Sequence, residues 1–287
     1  MAFKGKLYEL GKSEELSIIA LTQDAKREIT ANFIEKINSL RINVKLILVE
    51  DQGTEFSFAK SWNAGIRIWS KNPTNYVVFS HDDVLFDDKA IERILEVLKT
   101  HSDIDVGVPI IKEPGIKNLS VLTKIMPSEF QIYSKIGSHI PISLFPLFEP
   151  FRTHIKEKFF QSKENALDFD SSMNKVFEGY TIRLLPFCVL RKSILNKVGF
   201  FDEEYYFGED IDYTYRIYLA DAKCSVITDS NIVHIGSYSI GKRESKTSKD
   251  KYLHLKRELI AYNMTFKKYG KMKDILYAKA KQNTMII

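Results

Sequence analysis

Apolar positions follow two alternating patterns along the first part of the chain. Continuous apolar runs predict buried strands at 16–22, 43–50, 75–80 and 105–111. Between these runs, apolar side chains recur at steps of three and four, which predicts amphipathic helices. The helix positions that carry this spacing are Ile34, Ile37, Leu40, Ala59, Trp62, Ile66, Trp69, Ile91, Ile94, Leu95 and Leu98. Strands that are apolar throughout and alternate with helices predict an α/β fold, with a mostly parallel sheet flanked by helices.

The regular pattern breaks between residues 113 and 178, where prolines and aromatic side chains are frequent. We expect an irregular insertion there, which would form a lid or an acceptor region. The alternation then returns, with a strand at 186–191, a short helix ended by Gly199, a helix starting near Asp210, strands at 223–228 and 231–235, and a long final helix. We therefore predict one domain over 1–241, followed by a basic amphipathic helical extension over 242–287.

Charge is unevenly distributed along the chain. The net charge is +5, but the segment from Lys242 onward contains 13 Lys and Arg against 4 Asp and Glu. A basic tail of this kind predicts contact with phosphate groups, nucleic acid or an anionic membrane surface, and the alternative is a solvated helix face. Cys188 and Cys224 lie in apolar runs and are expected to be reduced and buried. Without a signal peptide or an apolar run of membrane-spanning length, the prediction is a cytoplasmic protein whose tail can reach a membrane surface.

Polar side chains end the third predicted strand, where His81, Asp82 and Asp83 follow a buried apolar run. In parallel sheets, ligands bind at the carboxyl ends of the strands. Hard carboxylate oxygens suit Mg²⁺ or Mn²⁺. The structural alternative is that these acids cap the next helix, but we expect Asp87 or Asp88 to serve that start.

A second acidic group lies in the segment 201–216. Its carboxylates are Asp202, Glu203, Glu204, Glu209, Asp210 and Asp212, and aromatic residues are interleaved with them. Crowded and partly desolvated acids raise one another's pKa, which suits a general base that works near neutral pH. The alternative is a solvated acidic loop in which Asp210 caps a helix.

Two further features complete the candidate chemistry. His234 ends an apolar strand and is either a core histidine or a ligand. The glycine-containing segment that follows carries Lys242 and Arg243, and it is either a cationic loop that closes over a diphosphate or an ordinary exposed loop.

The order of these segments resembles that of the inverting family 2 glycosyltransferases, which have the GT-A fold. The resemblance runs from Leu16 to Ser239 apart from 113–178, and its most specific part is the stretch VGFFDEEYYFGEDIDYTYRI. It implies a Rossmann-like sheet and the transfer of a sugar from a nucleoside-diphosphate sugar to an acceptor hydroxyl.

The resemblance also implies roles for individual residues. Residues expected to contact the donor nucleotide sugar are Thr22, Asp51, Asn63, Gly65, Asp82, Lys242 and Arg243. Asp83 matches the last acid of the family's Asp-x-Asp motif and would bind Mn²⁺ or Mg²⁺, with His234 completing the site. Asp210 matches the catalytic base, and Glu209 lies beside it. Arg216 either contributes to the site or pairs with the acids to hold them in place.

One position departs from the family's pattern, because His81 replaces the first acid of the Asp-x-Asp motif. A neutral histidine can form a hydrogen bond at this position or bind the metal itself, and Asp82 could take part instead. The departure leaves open a degenerate protein that binds a sugar or nucleotide without catalysis. A nucleotidyltransferase on a related fold is a further alternative, although the loop after the first strand contains no glycine.

The expected partners follow from the same resemblance. The donor would be a nucleotide sugar, with a uridine diphosphate sugar as the first guess. The acceptor would be a glycan, a lipid-linked molecule or a protein, and no nucleic-acid partner is expected.

Overall fold

The computed structural model describes residues 3–51, 57–87, 89–112, 122–125, 139, 141, 180–206, 208–235 and 248–287. Most of the predicted insertion at 113–178 lies outside these residues, as do Asp88, Lys242 and Arg243. The expectations for those segments therefore stay predictions.

Strands and helices alternate over the first half of the described chain. The strands are β1 Lys6–Leu10, β2 Leu16–Thr22, β3 Val44–Glu50, β4 Tyr76–His81, β5 Val84–Phe86, β6 Val106–Lys112, β7 Leu122–Lys124, β8 Tyr180–Ile182, β9 Phe187–Arg191, β10 Cys224–His234 and β11 Thr284–Ile286. The α-helices are α1 Glu28–Asn38, α2 Phe58–Trp69, α3 Ala90–Thr100, α4 Lys192–Val198, α5 Glu209–Leu219, α6 Ser248–Tyr269 and α7 Lys273–Asn283. The predicted strands and helices before residue 113 are therefore confirmed.

The central sheet is mixed, with the strand order β1-β3-β2-β4-β9-β6-β10-β11 and β5 paired to β10. β2 is parallel to both β3 and β4, so these three strands end at the same edge. β9 is antiparallel to β4 and β6, and β1 is antiparallel to β3. The predicted α/β class is confirmed, and its parallel part positions the ends of β2, β3 and β4 side by side.

The hydrophobic core lies between this sheet and the helices. Every residue of β2 is buried, and the predicted apolar faces of α2 and α3 are buried as well. Trp62 and Trp69 are among the largest fully buried side chains. Cys188 and Cys224 are buried free thiols, as expected.

Two details of these strands and helices differ from the sequence prediction. The strands expected at 223–228 and 231–235 are one strand, β10, whose register with β6 shifts between Ile227 and Asn231. Helix α3 begins at Ala90 after Lys89, so Asp87 is not its N-cap residue. The Asp87 carboxylate instead accepts a hydrogen bond from the Lys89 backbone N–H at 2.8 Å, which stabilises the turn that precedes the helix.

The C-terminal segment is more varied than the single long helix that the spacing predicts. A short 3₁₀ turn at Gly270–Met272 separates α6 from α7, and the chain then ends in β11, which is parallel to β10. Ala261, Tyr269 and Leu276 are buried. Within the part of the chain that the structure describes, no helix combines the length and the apolar content needed to cross a membrane.

Candidate active site

The ends of β2, β3 and β4 bring the first predicted site residues together. The backbone N–H of Asp51 donates to the carbonyl of Thr22 at 3.1 Å, and that of Asp82 donates to the carbonyl of Leu21 at 3.1 Å. Thr22, Asp51 and Asp82 are all buried. These three polar side chains therefore lie close together at the sheet edge that is predicted to bind the donor.

His81, Asp83 and His234 form a cluster at this end of the sheet. Strand β5 pairs antiparallel with β10, which places Val84 opposite His234, and the Ile235 N–H donates to the Asp83 carbonyl at 2.9 Å. His234 Nε2 lies 3.4 Å from Asp83 Oδ1. One ligand atom from each of the three residues lies within 4.8 Å of the others. The structure thus brings together the three residues that the sequence analysis assigned to a metal.

The protonation states in this cluster are those of metal ligands. Burial lowers the pKa of His81 to about 4, against the opposing charge of Asp83. Burial would raise the pKa of Asp83, but the hydrogen bond from His234 and the two histidines together hold that pKa below its ordinary value. A neutral imidazole and an ionised carboxylate both have lone pairs to donate to a divalent cation. The donor set therefore fits a metal ion.

His81 is held in place by aromatic stacking. Its ring stacks on Phe58 and Trp62 from α2, with centroid separations of 5.6 and 5.9 Å. Within the described ranges, its buried Nε2 atom has no hydrogen-bond partner. A fixed imidazole with an unused nitrogen is suited to bind a ligand.

Asp82 is held by side chains that the sequence analysis did not single out. One terminal nitrogen of Arg27 lies 2.8 and 3.1 Å from the two Asp82 carboxylate oxygens, and Thr30 Oγ1 donates to the same carboxylate at 2.5 Å. Thr22 Oγ1 lies 3.0 Å from Thr30 Oγ1. Asp82 therefore anchors α1 to the strand ends, and its contact with a donor stays a prediction.

Replacing Arg27 by methionine is expected to lower the free energy of unfolding by about 3 kcal/mol, because the buried Asp82 carboxylate loses its cationic partner. Denaturant titration would measure this change. Lys26→Met is the matched control, since Lys26 is the exposed neighbour in the same loop. Equal stability of the two variants would show that the Arg27–Asp82 pair contributes little.

Three other predicted donor residues make contacts within the protein. Asp51 accepts a hydrogen bond from Ser61 Oγ at 2.6 Å. The Asn63 amide bonds to both the N–H and the carbonyl of Phe201, at 2.7 and 2.9 Å. A Cβ atom at Gly65 would lie 2.4 Å from a methyl carbon of Ile19, so glycine allows α2 to approach β2 closely. Their contacts with a nucleotide stay predictions.

Glu209 and Asp210 begin helix α5, directly after Gly208, which has a left-handed φ of 73°. Burial raises the pKa of both carboxyl groups, and the neighbouring Asp210 raises that of Glu209 further. Among the described residues, neither carboxylate forms an ion pair. Raised pKa values without a fixed cationic partner suit a group that accepts a proton near neutral pH.

Three of the other four acids of the 201–216 segment have structural partners, and the fourth, Glu204, is exposed. Asp202 pairs with Lys268, and Glu203 pairs with Arg67 and accepts from Asn63. Arg216 Nε donates to Asp212 at 2.9 Å, so it pairs with an acid of its own helix. This separates Glu209 and Asp210 from the rest of the acidic group.

An aromatic cluster connects α5 to the histidine site. Phe201 stacks on Tyr213 of α5 at a centroid separation of 3.9 Å, and Trp62 contacts both Phe201 and His81. Helix α5, which carries Asp210, therefore packs against the same aromatic side chains that hold His81.

Arg183, in the turn between β8 and β9, is a site residue that the sequence analysis missed. Burial is the main cause of the lowered pKa of His81 and of the raised pKa of Asp210, and the positive charge of Arg183 adds to the first shift and opposes the second. The histidine site and the acidic pair therefore share this neighbour. The signal in the sequence is slight: a single basic residue within the stretch TIRLLPF.

Comparison with known families decides the assignment of the chain. A model described as glycosyl transferase family 2 matches residues 14–199. The chain belongs to glycosyl transferase family 2. The predicted family and the predicted glycosyltransferase activity are therefore confirmed, and the α/β sheet is the architecture expected of such a GT-A enzyme.

Solved structures similar to this family 2 glycosyltransferase include three of TarS from S. aureus. TarS 1–349 is 13% identical, with a TM-score of 0.45, covering 91% of this chain and 74% of that one. A second TarS structure is 13% identical, with a TM-score of 0.46 and coverages of 78% and 37%. TarS 1–349 in complex with UDP-GlcNAc is 15% identical, with a TM-score of 0.47 and coverages of 92% and 71%. No curated protein matches the chain significantly.

Proposed function

We propose that this glycosyltransferase is metal-dependent and inverting, and that it transfers a sugar from a nucleoside-diphosphate sugar to an acceptor hydroxyl. The observation that carries the proposal is the convergence of His81, Asp83 and His234 within 4.8 Å at the ends of β4 and β10. Arg183 and the aromatic cluster connect this group to the acidic start of α5, which supports a single cleft with a metal site on one side and a base on the other.

The donor set favours Mn²⁺ over Mg²⁺. Mg²⁺ prefers oxygen ligands, whereas imidazole nitrogens bind first-row transition ions more strongly. His81, Asp83 and His234 offer two imidazoles and one carboxylate. When bound, the ion would stabilise the negative charge that develops on the leaving nucleoside diphosphate.

The chain's own residues supply the other parts of the reaction. Asp210 accepts the proton of the acceptor hydroxyl, and burial keeps the pKa of its carboxyl group raised. Glu209 lies beside it in the same helix turn. The acceptor oxygen then attacks the anomeric carbon from the face opposite the leaving group, which inverts the configuration. Arg183 adds a positive charge near both groups, and Lys242 and Arg243 are proposed to contact the diphosphate.

The donor is proposed to lie across the ends of β2, β3 and β4, against Thr22, Asp51 and Asp82. A uridine diphosphate sugar is the first donor to test. A lipid-linked acceptor at a membrane surface would suit the basic segment 242–287, although two of its lysines, Lys268 and Lys279, are paired with acids of the domain. A glycan and a protein are the other two classes of acceptor to test.

A panel of nucleotide sugars incubated with the protein and Mn²⁺ tests the proposed function. We expect slow release of the nucleoside diphosphate from one donor, because water can replace the acceptor. Release of pyrophosphate from a nucleoside triphosphate and a sugar phosphate would identify a nucleotidyltransferase instead. Binding of nucleoside diphosphate without turnover of any donor would identify a degenerate binding protein.

A further inference from the structure

Helix α6 contacts α5, the helix that carries Asp210, at the buried carboxylate of Asp212. Asp212 Oδ1 accepts hydrogen bonds from Lys268 Nζ and from the Tyr269 hydroxyl, each at 2.7 Å. Asp212 Oδ2 accepts from Arg216 at 2.9 Å. Asp212 is fully buried, so these partners replace the water that the charge loses on folding.

The same helix also contacts the loop that leads into α5. Lys268 Nζ lies 2.9 Å from Asp202, and Thr265 Oγ1 lies 3.3 Å from the Tyr205 hydroxyl. The Arg257 guanidinium lies over the Tyr206 ring, 4.0 Å from its centroid. The family match ends at residue 199, so both sides of this contact lie beyond it.

The position of Asp212 determines which way Asp210 faces. Successive helix residues are rotated by about 100°, so Asp210 and Asp212 point about 200° apart around the axis of α5. Fixing Asp212 against α6 therefore directs Asp210 to the opposite side of the helix. The burial of the two side chains agrees with this, since Asp212 is fully buried and Asp210 is half-buried.

We propose that Lys268 and Tyr269 are positioning residues, which hold α5 in the rotation that presents Asp210 to the acceptor. The proposal rests on the proposed function, because it needs Asp210 as the base. Lys268 neutralises and orients Asp212, while Tyr269 fixes the same oxygen from the next residue of α6. A displacement of about 1 Å at a catalytic group can reduce the rate by about 100-fold.

The test compares Lys268→Met, Lys268→Arg and Tyr269→Phe with the control Lys267→Met, whose side chain is the exposed neighbour on α6. The measured quantity is the rate at which nucleoside diphosphate is released from the donor identified with the panel of nucleotide sugars. This rate is divided by the number of protein molecules that bind UDP, or the nucleoside diphosphate of that donor. Counting only binding-competent molecules removes any loss due to unfolding. We expect Lys268→Met to lower this rate by roughly 10- to 100-fold and Tyr269→Phe to lower it less. Lys268→Arg should retain most of the wild-type rate. The KM for the donor should be the same in all of these variants.

Rates in Lys268→Met and Tyr269→Phe equal to that of Lys267→Met would overturn the proposal, as would a loss that disappears when the rate is expressed per binding-competent molecule. If Lys268→Met does not fold, Tyr269→Phe decides alone, since it removes only one hydroxyl. An inactive Asp210→Asn variant beside a fully active Lys268→Met variant would reject the positioning role and keep the proposed base. An active Asp210→Asn variant would reject the base itself.

Discussion

Replacing Asp210 by asparagine is expected to reduce sugar transfer by ~10²–10⁴-fold while leaving the affinity for the donor nucleotide unchanged. The amide keeps the size of the side chain but cannot take the acceptor's proton. The structure supports this outcome because burial raises the pKa of Asp210 and of Glu209 beside it, and neither carboxylate is ion-paired among the described residues. Steady-state kinetics combined with nucleotide titration would measure both quantities.

The matched control is Glu204→Gln, an exposed acid of the same segment, which should retain full activity. The pH profile gives an independent check. A base works only when it is deprotonated, and its raised pKa means that activity is lost as the pH falls through a value above that of an ordinary aspartate. An Asp210→Asn variant as active as Glu204→Gln would place the base on another residue, with Glu209 the first to examine.

The sequence predicted the parts of the fold that depend on local pattern. β2, β3 and β4 were found close to their observed bounds, because strands buried on both faces are apolar throughout. The faces of α2 and α3 followed from the spacing of Trp62, Ile66, Ile91 and Ile94. These elements bring the strand ends together, so the general position of the site also followed from the sequence.

Elements whose formation depends on a distant partner were missed. β1, β5 and β11 have three to five residues, which is too short for an apolar period to be recognised. β5 matters most for function, because its pairing with β10 brings His234 next to Asp83. The resemblance to the family assigned His234 and Asp83 to a metal site. The pairing register of β5 with β10 explains why the two side chains are in contact.

Side-chain partners far apart in the sequence were also beyond local pattern. Arg27 lies between β2 and α1, yet its side chain contacts Asp82, which is 55 residues away in the sequence. Asn63 was assigned to the donor, and its amide bonds to the backbone of Phe201, 138 residues away. Such contacts depend on how helices pack on the sheet, which hydrophobic spacing does not specify.

Removing divalent cations is expected to abolish transfer, and Mn²⁺ should restore it better than Mg²⁺. The cluster of His81, Asp83 and His234 has two imidazoles, which bind Mn²⁺ more strongly than Mg²⁺. Replacing His81 by aspartate should reduce this preference, because the site then gains oxygen ligands at the expense of nitrogen. Transfer in EDTA, and after adding back each ion, measures the effect, and full activity in the chelator would contradict it.

The most direct test of the central claim is a calorimetric titration of Mn²⁺ into the protein with UDP present, for the wild type and for Asp83→Asn. The matched control is Asp87→Asn, which changes an exposed aspartate four residues along the chain. We expect a single saturable Mn²⁺ site in the wild type and in Asp87→Asn. Binding of Mn²⁺ to Asp83→Asn should be at least about 100-fold weaker, because even residues that only hydrogen-bond to a metal ligand change metal affinity by about 10- to 100-fold. Binding of Mn²⁺ that is equally tight in Asp83→Asn, or no binding to the wild type, would contradict a metal-assisted transferase site at the end of β4.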